Sequence, residues 1–160
     1  MEPYSTHTPF TALALMKTKE LFPNLPILEL GCGDYSSPMC YFLAQGRGYE
    51  IYSADPEWSS RFSDMARVNK VELAGPKQWA EVDYPRGWGL ALLDSEESVV
   101  NRMKQIPALL KAAKVVVMHD AREDQIPDAR FGAVFTRYRP WTWIGSDVVD
   151  VEQWLMHKDV

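Results

Sequence analysis

The sequence predicts an α/β fold with a mostly parallel sheet, closed at one edge by antiparallel strands, on three observations. Short apolar runs alternate with segments of helical pattern, as in sheets whose crossovers are helices. Four of the predicted strands end in polar groups, at Gly31 to Asp34, at Asp55, at Asp94 and at the pair His119-Asp120. The last stretch, FGAVFTRYRPWTWIGSDVVDVEQWL, reads as two further strands joined around Arg139–Ser146, a closing antiparallel pair.

Thr8-Pro9 is a cap followed by proline at the first helical position, which opens a helix to about Leu21. The run FPNLP breaks it, and Ile27, Leu28 and Leu30 then form a short buried strand. That strand stops at Gly31-Cys32-Gly33, and a helix follows over about 37–44, ended by Gly46 and Gly48. YEIYSAD, residues 49–55, alternates as a second strand closed by Pro56. A helix over about 58–68 and a third strand over 71–73 come next, then a segment that is mostly loop. WGLALLD, residues 88–94, is a continuous apolar run ending in an acid, the pattern of a central parallel strand. Residues 97–113 form the clearest helix, with Val100, Met103, Ile106, Leu109 and Leu110 on one face and a bend expected at Pro107. KVVVMHD, residues 114–120, is a β-branched strand.

A chain of 160 residues predicts one domain, residues 1–160, large enough to bury a core. The net charge of −5 gives no general attraction to nucleic acid or to an anionic membrane, so the expected partner is a small molecule. No apolar run approaches the ~20 residues that span a bilayer, and MEPYSTHTPF lacks the pattern of a secretory leader. Two cysteines, Cys32 and Cys40, suit a reducing compartment, and a cytoplasmic location is expected. Two cysteines and three histidines at unhelpful spacings argue against structural zinc.

The turn after the first strand carries the functional argument. Glycines there let the backbone turn sharply and let a ligand approach main-chain N–H groups. Ligands of open α/β sheets bind beyond the carboxyl ends of the strands. Asp55, 22 residues after Gly33 at the end of the second strand, is placed to accept both hydroxyls of a ribose. ELGCG (Glu29 to Gly33), Asp55, the strand ending at Asp94 and the two-strand tail together resemble the class I S-adenosylmethionine-dependent methyltransferases. The resemblance implies a three-layer Rossmann-like fold and S-adenosylmethionine as cofactor, with the glycine loop under its methionine part. A dinucleotide-binding domain would instead need glycine at Ser36 and normally an apolar residue at Glu29. The family's fuller pattern has a third glycine at position 35, where this chain has Tyr35.

The cofactor-binding residues this implies are Glu29, Gly31, Gly33, Asp34, Ser36 and Asp55. Glu29 supports the loop and acts near the cofactor's amino group in the resembled family. Bland roles stand beside these: Asp55 as a turn residue before Pro56, Ser36 or Ser37 as a helix cap. Asp94, His119 and Asp120 are the candidate catalytic residues, and three readings stay open for them. Asp94 and Asp120 resemble the ligands of methyltransferases that need a divalent cation such as Mg²⁺, which would hold and acidify an acceptor hydroxyl. His119 is alternatively a general base, since imidazole titrates near neutrality. Otherwise Asp120 only caps the next segment. Trp58 is a candidate neighbour of the adenine, and Trp141 and Trp143, on a late loop, are candidates for an acceptor pocket. The Asn/Asp-Pro-Pro-aromatic signature of amino-methylating DNA enzymes is absent. The expected activity is methyl transfer to a small acceptor, with O-methylation favoured. The alternatives are a binding module without transfer, or an enzyme that cleaves the cofactor.

Overall fold

The structure, a computed structural model, describes residues 8–71, 79, 82, 84–85, 87–95, 99–137 and 139–155. Its elements run α1 (Thr8–Leu21), β1 (Ile27–Leu30), α2 (Ser36–Leu43), β2 (Tyr49–Ser53), α3 (Pro56–Arg61), β3 (Arg67–Lys70), β4 (Trp88–Leu93), α4 (Val99–Ala112), β5 (Ala113–Ala121), β6 (Phe131–Phe135) and β7 (Trp141–Ser146), then a 3-10 turn at Val151–Leu155. They build one seven-stranded sheet in the order β3-β2-β1-β4-β5-β7-β6. The first five strands in that order are parallel, and β7 runs antiparallel to both β5 and β6. No helix among the described residues is long and apolar enough to cross a membrane.

Every residue of β1 and β4 is buried, because both faces of the sheet are covered. On one face Ile27, Ile51, Leu90, Leu92, Val115 and Val117 pack with Ala14, Leu15 and Cys40 from α1 and α2. On the other, Leu28, Leu30, Ala91, Leu93, Val116 and Met118 pack with Val99, Ile106 and Leu109 from α4. Side chains alternate across a strand, so Glu29 shares the α1 and α2 side with Ile27 and lies wholly buried there.

Several expected elements shift. The third strand lies at Arg67–Lys70, not 71–73; residues 72 and 73 fall outside the described residues. A polar edge strand has no apolar alternation to betray it, and this one is tied down by Asn69 donating to Glu50 at 2.9 Å. The preceding helix is correspondingly short, ending at Arg61 rather than 68. The helix expected over 97–113 is Val99–Ala112 and continues through Pro107. Its buried stripe is turned from the expected one, comprising Val99, Arg102, Gln105, Ile106 and Leu109, while Val100 is half exposed. A polar pair within the stripe displaced the simple apolar reading.

The chain passes from β1 outward through β2 and β3, then returns to place β4 on β1's other side. That reversal opens a crevice at the carboxyl ends of β1 and β4. The loop after β1 enters it with Gly31 at φ +85°, its N–H donating to the Tyr52 carbonyl at 2.8 Å. A Cβ at Gly31 would overlap the carbonyl of Asp94 and lie 3.1 Å from the Ser95 Cα. Gly46 has a similar φ of +82° with open space around it. Gly31→Ala is therefore expected to lose more than ~2 kcal/mol in urea unfolding, from strain and overlap together, and Gly46→Ala only about 1 kcal/mol.

Candidate active site

Glu29 sits beneath the glycine loop. Its Oε2 accepts hydrogen bonds from the Ser37 hydroxyl at 2.9 Å and from the Tyr49 hydroxyl. Its Oε1 is buried and has no hydrogen-bond partner among the described residues. Burial pushes this carboxyl up from 4.5 to about 7, against the pull of the Ser36, Tyr49 and Ser37 hydroxyls, with the charge of Asp94 adding to the rise. Ser37 also ties the loop to α2, since the Gly33 N–H donates to its Oγ at 3.1 Å. Ser36 is buried beside it. Tyr35, at the position of the family's third glycine, is the first cap of α2 with φ −103° and ψ −45°. No left-handed conformation is needed there, so a tyrosine fits this loop.

Gly33 has no backbone reason to be glycine. A Cβ there would meet only the Ser36 Oγ at 3.5 Å, and its φ is not left-handed. The two glycines are thus distinct: a side chain at Gly31 would collide with the turn after β4, whereas one at Gly33 would have space. Asp34 is held in an exposed ion pair with Arg61 of α3 at 2.6 Å. Asp55 caps α3, its Oδ1 accepting the Glu57 N–H at 2.8 Å, so the bland role is realised, while the side chain remains half-buried at the end of β2. Trp58's side chain lies outside the described residues.

Two strands away, the ends of β4 and β5 converge as their parallel pairing requires. His119 Nδ1 lies 3.2 Å from Asp94 Oδ1, and Nε2 lies 3.5 Å from Asp120 Oδ1. Consecutive residues of a regular strand point to opposite faces, yet His119 and Asp120 meet on the same side. The cause is a register shift in the β5–β7 pairing between His119 and Ala121, with Asp120 at φ +61°. Aspartate is among the few residues that tolerate this conformation.

Arg102 from α4 joins the group, a residue that the helical pattern did not single out. Its side chain is 8% exposed, and its Nη1 donates to Asp120 Oδ2 at 2.7 Å and to the His119 carbonyl at 3.2 Å. Nε donates to the Ser95 carbonyl at 2.7 Å, and Nη2 lies 3.5 Å from Asp94 Oδ1. The signal is present in the spacing: residues 99, 102, 106 and 109 form an i, i+3, i+7, i+10 stripe whose second member is charged. A charged residue in such a stripe requires a buried partner.

These contacts sort the three open readings. Asp94, His119 and Asp120 each bring a donor atom within 4.8 Å of the others. A dication among them would sit against the buried Arg102 guanidinium, which lies 2.7 Å from Asp120 and 3.5 Å from Asp94 and would repel it, so the cation next to both carboxylates counts against a metal here. His119 is 6% exposed, and its Nε2 is screened from solvent behind Asp120. Asp120, one-third exposed, faces a cleft of about 490 Å³ that Trp141 also lines. Trp143, expected on a loop in the pocket, is instead wholly buried in β7.

No protein-family model and no curated protein sequence matches the chain. Solved structures do. The bifunctional kinase-methyltransferase WbdD matches with a TM-score of 0.65 at 13% identity, over 92% of this chain and 41% of that one. Magnesium protoporphyrin IX methyltransferase from Synechocystis PCC 6803, with bound S-adenosylmethionine, gives a TM-score of 0.56 at 11% identity, covering 89% and 77%. The N-methyltransferase NodS from Bradyrhizobium japonicum WM9, in complex with S-adenosylhomocysteine, gives 0.51 at 10% identity, covering 88% of each chain. This is the class I methyltransferase fold. The chain spans about two fifths of the WbdD chain it matches. Within this methyltransferase fold, an orphaned Glu29 Oε1 under the loop and a Gly33 open above it suit a cofactor that brings an ammonium group and needs close approach.

The buried Glu29 also sets a pH dependence. A carboxyl whose folded pKa is raised contributes stability that is full below its unfolded pKa of 4.5 and lost as pH rises through about 7. Wild-type stability should therefore fall relative to Glu29→Gln by up to about 3 kcal/mol between about pH 5 and about pH 8. Urea unfolding of both proteins across that range checks it; parallel curves would mean that Glu29 is charged throughout.

Proposed function

We propose that this chain binds S-adenosylmethionine over the carboxyl ends of β1 and β2 and methylates an oxygen acceptor seated beyond β5. The observation that carries this reading is the reversal of strand order at β1 and β4, with a glycine turn set over a buried acid whose Oε1 lacks a partner. When bound, the cofactor supplies a sulfonium methyl: the acceptor oxygen bonds to the methyl carbon, the carbon–sulfur bond breaks with its electrons passing to sulfur, and the hydroxyl proton is released.

The chain's own residues supply position and charge, which is most of what an in-line transfer needs. Glu29 Oε1 takes a hydrogen bond from the cofactor's ammonium, and the open face of Gly33 admits its methionine part. Asp55 accepts the ribose hydroxyls from the end of β2, with Asp34 and Ser36 flanking the loop. Asp120 accepts the hydrogen bond of the acceptor hydroxyl and takes up its proton. Arg102 and His119 fix that carboxylate, and Asp94 orients the His119 ring through Nδ1.

Titration with S-adenosylhomocysteine by calorimetry tests the reading. Asp55→Asn keeps an α3 cap while removing the charge, and should bind at least ~10-fold more weakly. Gly33→Val should fold normally and bind still more weakly, because its side chain fills the space above the loop. Chelator should leave transfer unchanged. Wild-type protein that does not bind S-adenosylhomocysteine would refute the assignment.

A further inference from the structure

The cleft beside Asp120 lies on the β7 side of β5, across β4 from the glycine turn. Its volume of about 490 Å³ is in the range of small-molecule cavities. Buried Arg102 and half-buried Asp120 line it together with Trp141 and the exposed Arg122, Glu123 and Arg139. The three arginines have different standing. Arg102 is committed to Asp94 and Asp120. Neither Arg122 nor Arg139 makes a salt bridge among the described residues, and both are exposed. The Arg139 guanidinium lies over the Trp141 ring, 5.8 Å from its centroid, a cation–π contact that favours its staying beside the cleft.

From this arrangement we infer that the acceptor is a small oxyanion with a flat or apolar body. Arg122 and Arg139 hold its carboxylate or phosphate, Trp141 packs against the body, and the hydroxyl lies at Asp120. Paired guanidinium forks suit these planar or tetrahedral oxyanions. A polyanion is disfavoured, since Glu123 stands on the same rim and the chain carries a net charge of −5. The inference rests on the methyl-transfer reading for the hydroxyl's place, and the anion site itself is tested apart from it.

The experiment is calorimetry on the full chain with three probes: para-hydroxybenzoate, phenyl phosphate and the neutral para-hydroxybenzamide. At least one of the two anions should bind ~10-fold or more tightly than the amide, and which one does so distinguishes carboxylate from phosphate. In Arg122→Gln/Arg139→Gln the preference should fall to near unity, with S-adenosylhomocysteine affinity unchanged as the control for folding. No anion preference in the wild type, or a preference that survives in the double variant, overturns the inference. Failure of S-adenosylhomocysteine to bind the wild type counts against the methyltransferase reading alone, because the anion preference is measured with and without it.

Discussion

The guanidinium of Arg102 is the contact on which the carboxyl-terminal edge of the sheet depends. It links four groups from two places in the chain: the Asp94 carboxylate and Ser95 carbonyl after β4, and the His119 carbonyl and Asp120 carboxylate of β5. Two carboxylates this close to one another repel unless a cation lies between them. Taking an arginine out of water is costly, and the cost is offset only when its donors are satisfied in good geometry. Here Nε and Nη1 each have oxygen partners within 3.2 Å. The result is an acidic edge held together from within the protein by one guanidinium, whose positive charge offsets part of that of the two carboxylates.

A second buried group shapes the other half of the crevice. Glu29 accepts from Ser37 and Tyr49 under the glycine loop, which couples β1, α2 and β2 through one carboxyl. Burial makes that carboxyl reluctant to ionise, and an arriving ammonium would reverse the preference. The two halves meet where Gly31 presses against the Asp94 carbonyl, so the loop after β1 and the turn after β4 position each other. The proposed division of labour follows from this layout, with cofactor over β1 and β2 and acceptor over β5 and β7.

The parallel sheet, the antiparallel tail and the glycine turn were legible in the sequence because each leaves a local mark: apolar runs, turn residues, and acids at strand ends. The meeting of Asp94 with His119-Asp120 was legible too, since adjacent parallel strands end side by side. What was hidden depended on pairing between distant segments. The bulge at Asp120 exists only because β7 pairs with β5 out of step, and no local pattern announces it. Arg102 was passed over because a charged residue reads as surface until its partners are known. The edge strand at Arg67–Lys70 turns a single apolar residue, Val68, to the core, too little for an alternating pattern to register. Trp143 reads as a loop aromatic unless β7 is known to lie between two strands.

The most direct test of the central claim is amide chemical-shift mapping with S-adenosylhomocysteine on isotope-labelled protein. The account predicts large shifts in the loop from Gly31 to Ser36 and at the end of β2 through Asp55, with little change in β6. Shifts confined to other surfaces, with the glycine loop and Asp55 silent, would contradict it.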